Sequence, residues 1–75
     1  MEEAVEAYEK ALEGYRAFAD WYETGRTLSN LAHAHADAAR PAEARTHCLQ
    51  SADAYTRANA PAEAALAQSR ADSLT

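Results

Sequence analysis

The sequence predicts an all-α fold of four antiparallel helices, and three observations support this. Alanine, the residue with the highest helix propensity, fills 21 of 75 positions, whereas glycine and proline together fill only four. Apolar residues recur at steps of three and four, which is the spacing of one helix face. Prolines and short polar breaks then divide the chain into four segments. One domain over 1–75 should therefore hold helices over about 2–19, 21–38, 41–58 and 61–73.

The first predicted helix carries one apolar stripe and leads into an aromatic corner. The stripe consists of Val5, Tyr8, Leu12, Tyr15 and Ala19. At the corner, Tyr15, Phe18, Trp21 and Tyr22 stand close in sequence, and we expect them to pack together as a hydrophobic plug. The alternative is an exposed patch for a partner, since Trp and Tyr are enriched at interface hot spots.

The second helix should begin after Asp20, whose side chain can accept a hydrogen bond at the helix N-terminus. Glu23 stands three residues later and would complete a capping box. The apolar side of this helix is formed by Leu28, Leu31, Ala32 and His35. Gly25 costs up to about 1 kcal/mol relative to alanine inside a helix, so its presence indicates a close approach of another part of the chain.

Two prolines mark the beginnings of the third and fourth helices. Pro41 and Pro61 each suit the first turn of a helix, where no amide hydrogen is required. Asn59 precedes the second break and can adopt the left-handed conformation that ends a helix. Helices joined by such short connections are expected to pack as antiparallel neighbours.

An internal repeat is indicated when the chain is compared with itself at an offset of about 40 residues, a length found among helical repeats. At this offset, Glu3 aligns with Glu43, Tyr15 with Tyr55, and Glu23 with Glu63. Such a period in an all-helical chain is typical of a solenoid of helix pairs.

The distribution of charge excludes some partners. The net charge is −5, and the acidic excess falls entirely within residues 1–23. No basic stripe is present, so direct contact with nucleic acid is not expected. No run approaches the roughly 18 apolar residues of a membrane span, and a single cysteine, Cys48, cannot form an intramolecular disulfide. These features predict a cytoplasmic protein that does not enter a membrane.

The second and third helices resemble one unit of the tetratricopeptide repeat family, in a long form of about 40 residues. The resemblance rests on Leu28, Asn30, Leu31, Ala32 and His35 of one helix and on Ala44, Cys48, Ser51 and Ala52 of the next. It implies a short right-handed helical solenoid with His35 and Cys48 facing each other. The stretch Arg40-Pro-Ala-Glu-Ala-Arg45 is also similar to repeats near the C-terminus of actinobacterial regulators of the Streptomyces antibiotic regulatory protein type.

Metal binding and catalysis find little support in the sequence. His33 and His35 diverge by about 200° on a helix and cannot hold one ion together. His47 should point away from Cys48, and a thiol in mid-helix lacks the cation or helix N-terminus that stabilises a thiolate. We therefore predict no metal, no cofactor and no catalytic residues.

The predicted function is a protein-interaction module that binds a peptide or partner protein. The resemblance implies that Asn30 holds a ligand's backbone in a groove lined by the first helix of each repeat. Helical spacing places other polar residues on the side of Asn30, and the repeat offset extends the row to the last helix. The predicted partner-binding residues are Arg26, Ser29, Asn30, His33, Asp37, Ser69, Arg70 and Ser73. An ordinary solvated face is the alternative interpretation of this row.

Two other functional hypotheses remain at this level. The chain could be a self-association or regulatory segment of a larger transcriptional regulator, and a homodimer would then form through the exposed face of the first helix. An enzyme is the third and least supported hypothesis.

Overall fold

The structure, a computed structural model, describes the backbone of residues 2–74 and the side chains of residues 3–74. Met1 and Thr75 of the predicted 1–75 domain lie outside the described residues. Four α-helices and no strand are found in this range, which confirms the all-α prediction. Each boundary lies within two residues of the predicted one: α1 is Glu2–Ala17, α2 is Trp21–Asp37, α3 is Pro41–Arg57 and α4 is Pro61–Ser73.

The three corners between the helices share one backbone geometry. Each contains a residue with positive φ, at Ala19 (54°), Ala39 (59°) and Asn59 (62°). At the second corner the amide of Ala39 donates to the carbonyl of Ala36 (3.0 Å), and that of Arg40 donates to His35 (2.8 Å). The other two corners repeat this pair of bonds, which defines a Schellman motif. The left-handed residue was predicted only at Asn59.

The helix N-termini follow the predicted signals. The side chain of Asp20 accepts a hydrogen bond from the amide of Glu23 at 3.3 Å. Pro41 and Pro61 occupy the first positions of α3 and α4. The carboxylate of Glu23 pairs with Arg26 at 3.0 Å. The second half of the predicted capping box is therefore replaced by an ion pair within the helix.

Each helix packs against the one that follows it in sequence. Leu12 of α1 meets Leu28 and Leu31 of α2 in a cluster that Ala54 of α3 completes. The cluster between α3 and α4 combines the ring of Tyr55 with three alanines, Ala52, Ala60 and Ala67. The radius of gyration is 11.4 Å, close to the roughly 11 Å expected of a folded chain of this length.

A buried chain of hydrogen bonds joins α2 to α3. The hydroxyl of Ser51 is fully buried and donates to the carbonyl of Gly25 at 2.8 Å. Since Ser51 has only one proton to give, the 2.7 Å bond between Ser29 and Ser51 must be donated by Ser29. The order of donation is therefore Ser29 to Ser51 to the backbone of α2.

The predicted aromatic plug at the first corner is wrong. Phe18 is 88% exposed, Trp21 lies half-buried under the guanidinium group of Arg57 (4.9 Å), and Tyr22 contacts the ring of Tyr55 edge-on at 5.4 Å. Trp21 and Tyr22 contact side chains of α3, whereas Tyr15 and Phe18 line an open hollow beside α1, so the four rings do not form one cluster.

The histidines form a pair that was not predicted. His35 is buried and stacks on His47, with ring centroids 4.9 Å apart. Cys48, next to His47 in sequence, packs in a cluster with Ala32 and Ala71. The pair was missed because helical periodicity orients a side chain on its own helix but does not fix the register between helices.

Over the described range, none of the four helices combines the length and the apolar character needed to cross a membrane.

Candidate functional site, the groove between α2 and α4

A groove runs between α2 and α4, with residues of α3 as its floor. It consists of two adjoining cavities of about 230 and 160 Å³ that share Ser29, Ala67 and Arg70, and we call it the α2–α4 groove. The larger cavity is otherwise lined by Ala32, His33, Ala36, Cys48, Ser73 and Leu74. The smaller cavity is completed by Arg26, Asn30, Tyr55, Glu63 and Leu66.

All but two of the predicted partner-binding residues line this groove. Ser29, His33, Arg70 and Ser73 surround the larger cavity, while Arg26 and Asn30 join the smaller one. Asp37 and Ser69 are exposed and line neither cavity. The backbone carbonyl of Ser69 accepts a hydrogen bond from Ser73 at 3.0 Å, so Ser69 contributes to the orientation of that wall.

The polar side chains on the two walls differ in whether they already form hydrogen bonds or ion pairs within the chain. Arg26 is held by Glu23. Within the described residues, Asn30 and His33 of α2 and Arg70 of α4 form no hydrogen bond or ion pair. These three exposed side chains are therefore available as donors. They stand on facing walls of one groove.

The floor of the larger cavity is apolar and chemically inert. Cys48 is only 4% exposed, and burial raises the pKa of its thiol, while the nearby Arg70 guanidinium lowers it. Arg70 lines the same cavity as Cys48, so its charge lies near the floor of the groove. Because burial is the larger effect, Cys48 stays a neutral thiol at pH 7 and behaves as a small apolar side chain.

One end of the groove is closed by contacts between the first turns of α2 and α4. The phenol of Tyr22 donates a hydrogen bond to a carboxylate oxygen of Glu63 at 2.9 Å, and this bond raises the pKa of Tyr22. Beneath this pair lies Tyr55, whose pKa is raised by burial and lowered by the hydroxyl of Ser29. The bond ties the two walls together.

The apolar half of the groove was not predicted from the sequence. It includes Leu66 and Ala67 of α4, Leu74 directly after α4, and Tyr55 of α3. The repeat offset aligns α4 with α2, and the predicted row therefore already included Arg70 and Ser73 of α4, which line the larger cavity. It did not indicate the apolar residues of α4 that face inward, since their orientation depends on how the helices pack.

No three His, Cys, Asp or Glu side chains converge in a metal-binding arrangement over the described part of the chain. Comparison with protein-family models, with curated proteins and with solved structures finds no match.

Proposed function

We propose that the chain is a tetratricopeptide-like interaction module that binds a peptide segment of a partner protein in the α2–α4 groove. One observation carries this proposal. Unengaged donors stand on both walls, Asn30 and His33 on α2 and Arg70 on α4, above a floor that Cys48 and Tyr55 of α3 provide. An extended peptide suits such a groove, because its backbone carbonyls accept hydrogen bonds from the donors while its side chains alternate in direction and can reach the floor.

The chemistry of the groove defines the peptide further. Arg70 can form a charge-assisted bond with a carboxylate, and Asn30 can donate to a backbone carbonyl. The floor around Ala32 and Cys48 can cover a small apolar side chain, for which a cavity of about 230 Å³ is large enough. We therefore expect a ligand with a carboxylate next to a small aliphatic residue.

Two features support a solenoid of helix pairs. The left-handed residues Ala19, Ala39 and Asn59 are equally spaced along the chain, and the two steps from position 19 to position 59 together equal the offset seen in the sequence. Packing joins each helix chiefly to its sequence neighbours, as in repeat proteins whose units contact only adjacent units.

The proposal is tested with a displayed library of random seven-residue peptides selected on the wild-type chain. Selected peptides are resynthesised with a fluorescent label, and their binding is measured by polarisation. Asn30→Ala and Arg70→Ala should each weaken binding by at least about tenfold, the effect of losing a charged or multiple hydrogen bond, with little change in melting temperature.

Arg40→Ala provides a matched control, because Arg40 is exposed, lines neither cavity and donates no side-chain hydrogen bond at the start of α3. It should bind the selected peptides as the wild type does. The proposal is contradicted if no peptide is selected on the wild-type chain, or if the wild type and both groove variants bind the selected peptides equally well.

Self-association is the second candidate function, and a specific surface favours it. Phe18 is 88% exposed beside an open hollow lined by Ala11, Gly14 and Tyr15. Exposed apolar surface of this kind is a common site of association. In this alternative, the chain serves as a self-associating or regulatory segment of a larger transcriptional regulator.

A further inference from the structure

A second groove lies on the other side of α2, between α1 and α3. It consists of two adjoining cavities of about 450 and 280 Å³ that share Arg16 and Gln50, and we call it the α1–α3 groove. Its walls come from α1 and α3. Its floor is formed by Trp21, Leu28 and Leu31 of α2.

The two grooves use opposite sides of α2. Leu28 and Leu31 face the α1–α3 groove, whereas Ser29 and His33 face the α2–α4 groove. At 100° per residue, the two sets point about 150° apart around the helix axis. A ligand in one groove therefore does not touch the other.

The lining of the larger cavity carries a net positive charge, although the chain as a whole is acidic. Arg16 and Arg57 stand on facing walls with only Asp53 to balance them, although the whole chain carries −5. Arg57 is engaged by Asp53 at 3.0 Å. In the described part of the chain, Arg16 and Gln50 have no hydrogen bond or ion pair, so both remain free to donate to an acidic group.

The same cavity offers an apolar surface beside these donors. Trp21 is half-buried, with one region of its ring covered by Arg57, and Leu28 and Ala54 form the base. A volume of about 450 Å³ exceeds that of any single side chain and lies in the range of ligand sites. A large apolar side chain could therefore bury its surface here, which favours binding.

The opposite end of the groove carries the opposite charge. Besides the shared Arg16, the smaller cavity is lined by Glu9 and Glu13 of α1 and by His47 of α3, so its carboxylates outnumber its guanidinium group. An occupant that spans both cavities therefore meets positive charge at one end and negative charge at the other. This polarity sets the direction in which a charged peptide lies.

We propose that the α1–α3 groove is a second docking surface, which takes a peptide segment with a large apolar residue next to an acidic residue. The apolar side chain lies over Trp21 and Leu28, and the acidic group pairs with Arg16 and Gln50. A basic residue further along the peptide meets Glu9 and Glu13. This inference does not depend on the function of the α2–α4 groove.

Trp21 supplies the test, because it is the sole tryptophan of the chain and lies in this groove alone. A displayed library of seven-residue peptides is selected on the Asn30→Ala, Arg70→Ala double variant, so that ligands of the α2–α4 groove are suppressed. Selected peptides without Trp or Tyr are then synthesised with blocked ends and titrated into the same variant. The selected sequences should be enriched in acidic and large apolar residues, and titration should change Trp21 emission saturably.

Substitutions in the groove complete the test. In the same background, Arg16→Gln and Gln50→Ala should each weaken the fluorescence titration by at least about tenfold; both residues are exposed, so folding should be unaffected and is checked by circular dichroism. Arg40→Gln makes the same change of charge outside both grooves and should have no effect. An empty selection, a constant Trp21 emission, or unchanged binding by Arg16→Gln overturns the proposal.

Discussion

Gly25 of α2 lies directly against the aromatic ring of Tyr55 of α3. A Cβ atom at position 25 would stand 2.8 Å from Cδ1 of that ring and 2.9 Å from Cγ and Cε1. The ring cannot easily move, because Tyr55 is buried and Tyr22 contacts it edge-on. The close approach expected from a glycine inside a helix is therefore confirmed, and its partner is an aromatic ring.

Gly25→Ala should destabilise the fold in spite of the higher helix propensity of alanine. Displacing the ring and the Ser51 hydrogen bond to the Gly25 carbonyl should cost about 1–3 kcal/mol, the range of overpacked cores. Gly14→Ala is the matched control, because nothing lies within 4 Å of a Cβ at that position. It should stabilise the protein by roughly 0.5–1 kcal/mol. Urea denaturation of both variants checks that the two substitutions change the free energy of unfolding in opposite directions.

Ala39→Gly and Ala19→Gly should each stabilise the fold, although glycine usually weakens a helical protein. Both alanines have positive φ, which costs an L-residue about 1 kcal/mol or more. The expected gain is roughly 0.5–1 kcal/mol in the free energy of unfolding. Ala38→Gly, one residue earlier at a negative φ of −86°, should lower the free energy of unfolding by about the same amount. Equal effects of glycine at positions 38 and 39 would contradict a positive φ at Ala39.

The protein should lose stability at alkaline pH. Burial raises the pKa of Cys48 and of Tyr55, so the unfolded chain releases these protons at lower pH than the folded chain does. The free energy of unfolding therefore falls as pH rises from about 9 upward, and the contribution is fully present below that pH. Urea denaturation from pH 7 to 11 measures the decline. Cys48→Ala should make it shallower, whereas an unchanged slope in that variant contradicts the role of the thiol.

Phe18→Ser should reduce any self-association of the chain. Phe18 is almost fully exposed and contributes to no core cluster, so its removal should change the melting temperature little. Sedimentation velocity at high micromolar concentration compares the variant with the wild type. A wild type that dimerises, and a variant that does not, would support the first corner as a self-association site. A dimer that persists in the variant would exclude it.

The helices could be predicted from the sequence because their signals are local. Pro41 and Pro61 fix two helix starts, and the apolar stripe of α1 indicates its buried face. The corner residues Ala19 and Ala39 could not be predicted, since alanine disfavours positive φ. They adopt it because tight, equally spaced corners bring successive helices together.

The two grooves differ in how much the sequence reveals of them. The polar wall of the α2–α4 groove follows from the spacing of Ser29, Asn30 and His33 along one helix. The α1–α3 groove brings Arg16 and Gln50 together from separate helices, and no periodicity links them. Only the packing of both helices on α2 creates that second surface.

Mapping by NMR tests most directly whether the α2–α4 groove binds a peptide. A peptide selected on the wild-type chain is titrated into ¹⁵N-labelled protein, and the amide shifts are followed residue by residue. If the groove binds the peptide, saturable changes should be concentrated at Asn30 and His33 on α2 and at Ala67 and Arg70 on α4, and Arg70→Ala should require at least about tenfold more peptide to produce them. Changes confined to the outer face of α1, or spread evenly over all four helices, would contradict it.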